Sequence, residues 1–227
     1  MERVLVIGSG DVARRAIPLL TPRCRVFALI RRPQAGDELR ALGAVPILGD
    51  LDDRRTLARL AGIADAVLHF VPPPAAGDET DRRTRHFLAA LASRRSLPQR
   101  LVYISTTGVY GDCDGEEIDE ARPCRPANAR SRRRLDAEAR LRAFGGRRNL
   151  SVAILRAPGI YAADRLPVER IARGDPAPAE DVFTNHIHAD DLARLAVAAL
   201  FHARPNRVYN AVDDSRLTVG EWFDLVA

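Results

Sequence analysis

The chain has 227 residues, of which 46% are hydrophobic and 29% are charged. This length suits one large domain with or without a small lobe, and the composition is typical of a globular protein. No stretch approaches the roughly 18 apolar residues of a membrane span, and the apolar run at residues 4–7 is too short for the core of a signal peptide. Three widely spaced cysteines, Cys24, Cys113 and Cys124, argue against a disulfide framework and a zinc cluster. We therefore expect a cytoplasmic protein without a membrane partner or a metal.

The formal net charge is +5, and all 35 basic residues are arginines. A basic excess can indicate nucleic-acid binding. Here acidic residues are interleaved with the arginines, as at residues 52–55, and only 5% of the residues are aromatic. The pattern favours an arginine-rich solvated surface, and we expect no nucleic-acid partner.

Short apolar runs alternate with amphipathic segments from the first residues onward. The predicted strands are residues 3–7, 25–30, 45–48, 66–70, 101–104 and 152–155. The predicted helices between them are residues 11–20, 34–42, 52–60, 79–92 and 131–144. Continuous apolar strands that alternate with helices indicate a parallel sheet covered on both faces. The sequence therefore predicts a doubly wound α/β fold of the Rossmann type, with strand order 3-2-1-4-5-6.

The pattern changes after residue 156. Residues 157–181 are rich in proline and alanine, with a short predicted helix at 168–172. A helix at 189–201, a strand at 207–210 and a helix at 218–227 follow. We expect a dinucleotide-binding domain at 1–156 and a small substrate lobe at 157–227, interleaved with elements that return to the sheet. The last helix runs to the final residue, as in a chain that is cut short.

A glycine-rich turn joins the first strand to the first helix. It has the form Gly-x-Gly-x-x-Ala, in which Gly8 allows a tight turn, Gly10 lets a diphosphate approach the backbone and Ala13 lets the helix pack closely. The helix N-terminus supplies free N–H groups and a partial positive charge. The alternative is a turn that serves packing alone. We predict that the cofactor contacts residues Gly8, Ser9, Gly10, Asp11 and Val12.

The second strand is followed by Arg31 and Arg32. A site for NAD usually has a carboxylate here for the ribose 2′-hydroxyl. A guanidinium would instead pair with a 2′-phosphate, so we predict NADP, with NAD as the alternative. Both residues could equally be ordinary surface arginines.

Two further strand ends border the expected cofactor. After the third strand, the Asp50 carboxylate could accept the adenine amino group beside Leu51, or it could cap the following helix. After the fourth strand, the run Phe70, Val71 and Pro72 reaches the carboxyl edge of the sheet, where proline stiffens the loop. We include both segments in the predicted cofactor site.

Five segments together resemble one protein family: residues 101–112, 119–123, 155–161, 185–193 and 208–211. They are similar to the extended and atypical short-chain dehydrogenases/reductases, in the NAD(P)-dependent epimerase/dehydratase branch, and within it to YeeZ-like members. The resemblance covers nearly the whole chain. It implies that Thr106 takes the catalytic Ser/Thr position, that Pro158 borders the cofactor, that the substrate is a small molecule, and that a homodimer could form.

The family's catalytic Tyr-x-x-x-Lys motif is absent. Arg130 stands in the tyrosine position and Arg134 in the lysine position, where it could hold the ribose. Because an arginine stays protonated, Arg130 cannot exchange a proton near neutral pH. Tyr110 and Tyr161 remain as candidate proton donors, or each is a packed aromatic.

Two functions stay open at this point. One is an NADP(H)-dependent oxidoreductase or epimerase-like enzyme acting on a small carbonyl or sugar-nucleotide substrate. The other is a non-catalytic dinucleotide-binding sensor or partner-binding protein that has lost the catalytic tyrosine.

Overall fold

A parallel sheet of seven strands forms the centre of the computed structural model, which describes residues 1–94, 96–166, 168, 172–173 and 182–227. The strands follow the order β3-β2-β1-β4-β5-β6-β10. Their bounds are β1 Glu2–Ile7, β2 Cys24–Ile30, β3 Val45–Leu48, β4 Ala66–His69, β5 Arg100–Thr106, β6 Ser151–Ala157 and β10 Val208–Asn210. The predicted doubly wound fold and strand order are confirmed, and β10 adds a seventh parallel strand beside β6.

Helices cover both faces of the sheet because side chains alternate along each strand. In β1, Val4 and Val6 join the core on one face, whereas Leu5 and Ile7 join the core on the other. The helices are α1 Asp11–Leu20, α2 Gly36–Ala41, α3 Arg82–Leu91, α4 Ala129–Arg148, α5 Ala189–His202 and α6 Val219–Val226. The buried side chains of α1 and α5 belong to the first core, and those of α3 and α4 to the second.

Small strand pairs build the C-terminal lobe. Strand β7 (Gly159–Tyr161) pairs in parallel with β9 (His186–His188), and β8 (Phe183–Thr184) pairs antiparallel with β11 (Leu217–Thr218). These short strands had no periodic signal in the sequence. The predicted helix at 168–172 falls mainly outside the described residues.

The segment predicted as a helix at 52–60 forms a 3-10 helix over Arg54–Leu60 instead. Local side-chain hydrogen bonds explain the difference. Asp53 caps the backbone N–H of Arg55 at 3.1 Å, and the hydroxyl of Thr56 donates to the carbonyl of Asp53 at 2.7 Å. Such bonds compete with the α-helical ladder and favour tight turns. The helix predicted at 34–42 likewise begins with a 3-10 turn, Pro33–Ala35, ahead of α2.

A buried ion pair fastens α4 to the sheet. The guanidinium of Arg156 on β6 donates to both oxygens of Glu138 on α4, at 2.8 and 3.2 Å, and both side chains are almost fully buried. The hydroxyl of Ser105 donates to the same carboxylate, and the guanidinium of Arg156 also lies 4.7 Å from the ring centre of Tyr110. Burial opposes the charge of Arg156, but the hydrogen bond and attraction of Glu138 outweigh it and raise the arginine pKa.

An imidazole is buried in the second core without a polar partner. His69 at the end of β4 is 1% exposed, and neither ring nitrogen has a hydrogen-bond partner among the described residues. Its ring makes edge contacts with Phe87 and Tyr103, with ring centres 5.3 and 5.2 Å apart. Burial, assisted by the positive charge of Arg134, lowers the pKa of His69 to about 3.

Replacing Glu138 with glutamine should destabilise the protein by about 3 kcal/mol, because it leaves the Arg156 charge buried without its counterion. Urea unfolding of the wild type and Glu138→Gln measures the difference. Glu116→Gln is the matched control, because Glu116 pairs with Arg122 at 2.6 Å on the exposed surface, and it should change stability by less than about 0.5 kcal/mol. Equal small effects for both variants would contradict the prediction.

Stability should fall below pH 6 because of His69. In the folded state its pKa is about 3, against an unfolded value near 6.5, so between these values only the unfolded chain binds the proton. The free energy of unfolding should therefore drop by about 1.4 kcal/mol per pH unit below roughly pH 6 from this group. Parallel urea titrations of the wild type and His69→Leu at pH 8 and pH 4.5 isolate this contribution, since other groups titrate in both proteins. A constant difference between the two proteins across this range would refute it.

Candidate functional site

The turn before α1 leaves the helix N-terminus open. Gly8 has φ +111°, in the region that favours glycine, and a Cβ there would lie 2.9 Å from Cγ2 of Val71. Gly10 is the N-cap residue, so no side chain caps the first turn, and a Cβ on Gly10 would meet no atom within 4 Å. The space beside Gly10 at the head of α1 is therefore open, which fits the diphosphate of a dinucleotide.

A first cavity of about 270 Å³ lies on the β2 and β3 side of this turn. It is lined by Gly8, Ser9, Leu29, Arg31, Gly49, Asp50, Leu51, Val71 and Arg83. Arg31, Asp50 and Leu51, all predicted cofactor contacts, therefore line the same cavity. Arg32 is exposed and is absent from this lining. One oxygen of Asp50 accepts the backbone N–H of Asp52 at 2.9 Å, so this carboxylate also caps the turn.

A second cavity of about 260 Å³ continues from the first across the ends of β1, β4 and β5. It shares Gly8, Ser9 and Val71 with the first cavity. Its other lining residues are Gly10, Asp11, Val12, Ala13, Phe70, Pro72, Ile104, Ser105, Thr106, Arg130, Arg134, Ala157, Pro158, Ile160, Arg165 and Leu192. We call the two cavities together the cleft. It lies at the carboxyl edge of the sheet beside β1, where doubly wound folds bind nucleotides.

The Thr106 hydroxyl stands at the end of β5 within the cleft. Its oxygen accepts the backbone N–H of Gly108 at 3.2 Å, which begins the 3-10 turn Thr107–Val109. The hydroxyl hydrogen has no acceptor among the described residues. It can therefore donate to an oxygen of a molecule bound in the cleft.

Arg134 forms the floor of the cleft. Its Nη1 donates to the carbonyl of Ile104 at 2.6 Å and to the Tyr103 hydroxyl at 3.3 Å. Burial raises the pKa of Tyr103 to about 12 despite this contact. The guanidinium thus holds a fixed position through one nitrogen, and its permanent charge lies at the base of the cleft.

Three side chains meet above the first turn of α1. The Asp11 carboxylate accepts hydrogen bonds from Arg15 at 2.8 Å and from Arg165 at 3.2 Å. Burial favours the protonated acid, but these two arginines reverse the effect and lower the pKa of Asp11. The negative charge of Asp11 next to the glycine turn is therefore compensated. The backbone of Asp11, rather than its carboxylate, would contact an anionic cofactor.

Neither tyrosine candidate is among the residues that line the cleft. Tyr110 is 3% exposed, and its hydroxyl donates to Asn210 at 2.7 Å. Tyr161 packs edge-on against His188 and Trp222, both at 5.2 Å between ring centres. Burial and the neighbouring Asp213 raise the pKa of Tyr161. Both behave as packed aromatics, because long-range neighbours in the lobe occupy their hydroxyl or ring.

A third cavity of about 630 Å³ adjoins the 3-10 turn on the lobe side. Tyr110 contributes to its wall rather than to the cleft. The wall comprises Thr107, Tyr110, residues 115–118, residues 183–185, Asn210 and residues 212–216. We call it the lobe cavity.

Sequence reasoning missed two arginines of the cleft. Arg83 on α3 lines the first cavity. It donates hydrogen bonds to the carboxylate of Asp52 at 2.6 Å and to the carbonyl of Pro72 at 3.2 Å. Arg165 reaches the second cavity from the segment after β7. Neither belongs to a motif, so nothing in the sequence distinguished them from the many surface arginines.

Within the described ranges, no helix is long and apolar enough to cross a membrane. The same part of the chain contains no group of three or more His, Cys, Asp or Glu side chains arranged to hold a metal ion.

A family model described as NAD(P)H-binding matches residues 8–203. The chain is 29% identical to Protein YeeZ of Escherichia coli K12, over 92% of this chain and 77% of that protein. It is 28% identical to the UDP-glucose 4-epimerase of Azospirillum brasilense, over 89% of this chain and 69% of the epimerase.

A third relative is the 4-hydroxy-2-methyl-3-oxo-4-farnesyl-3,4-dihydroquinoline-1-oxide ketoreductase of Stigmatella aurantiaca, which is 31% identical over 54% of this chain. The match spans 39% of that enzyme's length. These relatives confirm the resemblance to the epimerase/dehydratase branch. Because the family model matches most of its length, the chain belongs to the NAD(P)H-binding family, and its YeeZ and epimerase relatives support a place in the epimerase/dehydratase-like branch.

Proposed function

We propose that the protein is an NADP(H)-dependent oxidoreductase or epimerase-like enzyme for a small carbonyl or sugar-nucleotide substrate. One observation carries the proposal: the open glycine turn and the free Thr106 hydroxyl line the same cavity. A dinucleotide held at the turn and a substrate oxygen at Thr106 would then be neighbours. The ketoreductase and epimerase names of two relatives support this class of chemistry.

NADP is the preferred cofactor because Arg31 lines the adenosine end of the cleft. A guanidinium there favours a 2′-phosphate, and no carboxylate follows β2 directly to receive a 2′-hydroxyl. NAD is the alternative. Phe70, Pro72 and Pro158 would border the rest of the cofactor.

Each residue of the cleft has its own role in the proposed reaction. When bound, the cofactor supplies or accepts hydride. Thr106 donates its hydroxyl hydrogen bond to the substrate oxygen and holds it in place. Arg134 keeps a fixed positive charge below the site and is positioned to hold the ribose. Since Arg130 retains its proton, water is the group that delivers or removes a proton at the substrate oxygen.

A non-catalytic dinucleotide-binding protein is the second candidate. The exposed Arg130 in the place of a tyrosine favours it, as do the packed positions of Tyr110 and Tyr161. Such a protein would bind the cofactor without turning over any carbonyl.

NADPH should bind more tightly than NADH by about tenfold or more, and Arg31→Gln should remove most of that preference, because a charged hydrogen bond to phosphate contributes about 1.5–3 kcal/mol. Nucleotide fluorescence titrations give both dissociation constants. Arg148→Gln, at the exposed end of α4, controls for net charge. If NADH binds at least as well as NADPH, the cofactor assignment is wrong.

Thr106→Val should slow NADPH-dependent turnover of a carbonyl panel by about 100-fold or more, because it removes the hydrogen bond to the developing oxyanion. Thr107→Val, on the lobe-cavity side, should lose less than tenfold, and Gly10→Ala, whose methyl enters the cleft, should lose NADPH binding. Initial rates and NADPH titrations on the same preparations separate these effects. Turnover that survives in Thr106→Val excludes its role, and a protein that binds NADPH but reduces no carbonyl fits the second candidate.

A further inference from the structure

Arg130 differs from the arginines that follow it on α4. Arg132 pairs with Glu79 at 2.6 Å, Arg133 donates to the carbonyls of Ala75 and Asp78, and Arg134 donates to the carbonyl of Ile104. Arg130 makes no hydrogen bond or ion pair with any residue that the structure describes. It is also the exposed member of the run that lines the cleft.

The charge of the cleft around Arg130 is positive. Three arginines line the second cavity, namely Arg130, Arg134 and Arg165, and the acidic side chain among the lining residues is Asp11. Because Asp11 is already bonded to Arg15 and Arg165, it is not a counterion for Arg130. A guanidinium with an open fork of donors in such a cavity matches an oxyanion bidentately.

Arg130 borders this cavity from the first turn of α4. It precedes Arg134 by one helical turn, so the two residues share a face of α4. They border the same cavity as Thr106, which would receive the reacting oxygen. An anionic group bound by Arg130 would thus share this cavity with an oxygen held by Thr106.

We propose that Arg130 makes the cleft selective for substrates that carry an oxyanion, a carboxylate or a phosphate ester, next to the reacting carbonyl or hydroxyl group. This inference rests on the proposed function, because it names the substrate class of the same site. The residue sets specificity through charge and takes no part in proton transfer, since its proton is retained.

Matched probes that differ in charge test the proposal. Phenylglyoxylate and its methyl ester share one carbonyl, and dihydroxyacetone phosphate and dihydroxyacetone form the phosphate pair. Binding of each to the NADP⁺-loaded protein is measured by calorimetry, and NADPH oxidation is followed in parallel. At least one anionic probe should bind ten times more tightly than its neutral partner, and the pair that responds tells carboxylate from phosphate.

Arg130→Gln should reduce that preference to less than about threefold, and Arg130→Lys should restore part of it. Arg132→Gln, two residues away and already paired with Glu79, should leave the preference unchanged. The thermal midpoint of each variant checks its fold. The proposal is overturned if neutral and anionic probes bind equally, if no anionic probe binds, or if Arg130→Gln weakens NADPH as strongly as the anionic probe.

Failure of the inference and failure of the proposed function give different results. If the wild type does not bind NADPH, the proposed function itself is rejected. If the wild type binds NADPH tightly but binds charged and neutral carbonyl probes with equal affinity, only the role of Arg130 is rejected.

Discussion

The ion pair between Glu138 and Arg156 is the contact on which the geometry of the cleft depends. Glu138 lies midway along α4 and Arg156 near the end of β6, so their bond ties the helix to the sheet directly beside the cleft. Because both charges are withdrawn from water, neither position is tolerable without the other. Ser105, which precedes Thr106 on β5, donates to the same carboxylate. A single buried carboxylate thus sets the placement of the strand that carries Thr106 relative to the helix that carries Arg130.

Arginine alone supplies positive charge in this chain, and that choice shapes the floor of the cleft. A lysine ammonium is a compact point charge that can lose its proton when buried, whereas a guanidinium keeps its charge and needs planar acceptors. Arg134 finds one in the carbonyl of Ile104. Its charge in turn helps to keep the neighbouring imidazole of His69 neutral. The floor of the cleft is therefore permanently cationic, and the buried imidazole of His69 stays neutral near neutral pH.

Sequence patterns predicted those parts of the fold that interactions between residues close in the chain determine. Helix α1 has the predicted bounds because a glycine turn precedes it and an apolar strand follows it. The sheet order follows from right-handed crossovers between parallel strands. The residues of the glycine turn line the cleft, and their contact with a cofactor stays a prediction. The sequence could not decide the positions of Tyr110, Tyr161 and Arg165, because partners far along the chain fix them: Asn210, Trp222 and Asp11 respectively. The 3-10 helix at Arg54–Leu60 was missed because short-range capping bonds outweighed helical periodicity there.

The exchange of a proton donor for a fixed cation alters what the cleft can stabilise. A tyrosine at position 130 could pass a proton to a substrate oxygen, but a guanidinium can only bind charge that is already present or that develops during reaction. In the proposed enzyme, Thr106 would orient the substrate oxygen without supplying a net proton, so water would have to protonate it. Such a site works best when the substrate's own negative charge anchors it against Arg130, because binding then does not depend on the proton. Under the proposal, the lack of a proton donor at position 130 and the selectivity for an anionic substrate would both follow from the presence of arginine at this position.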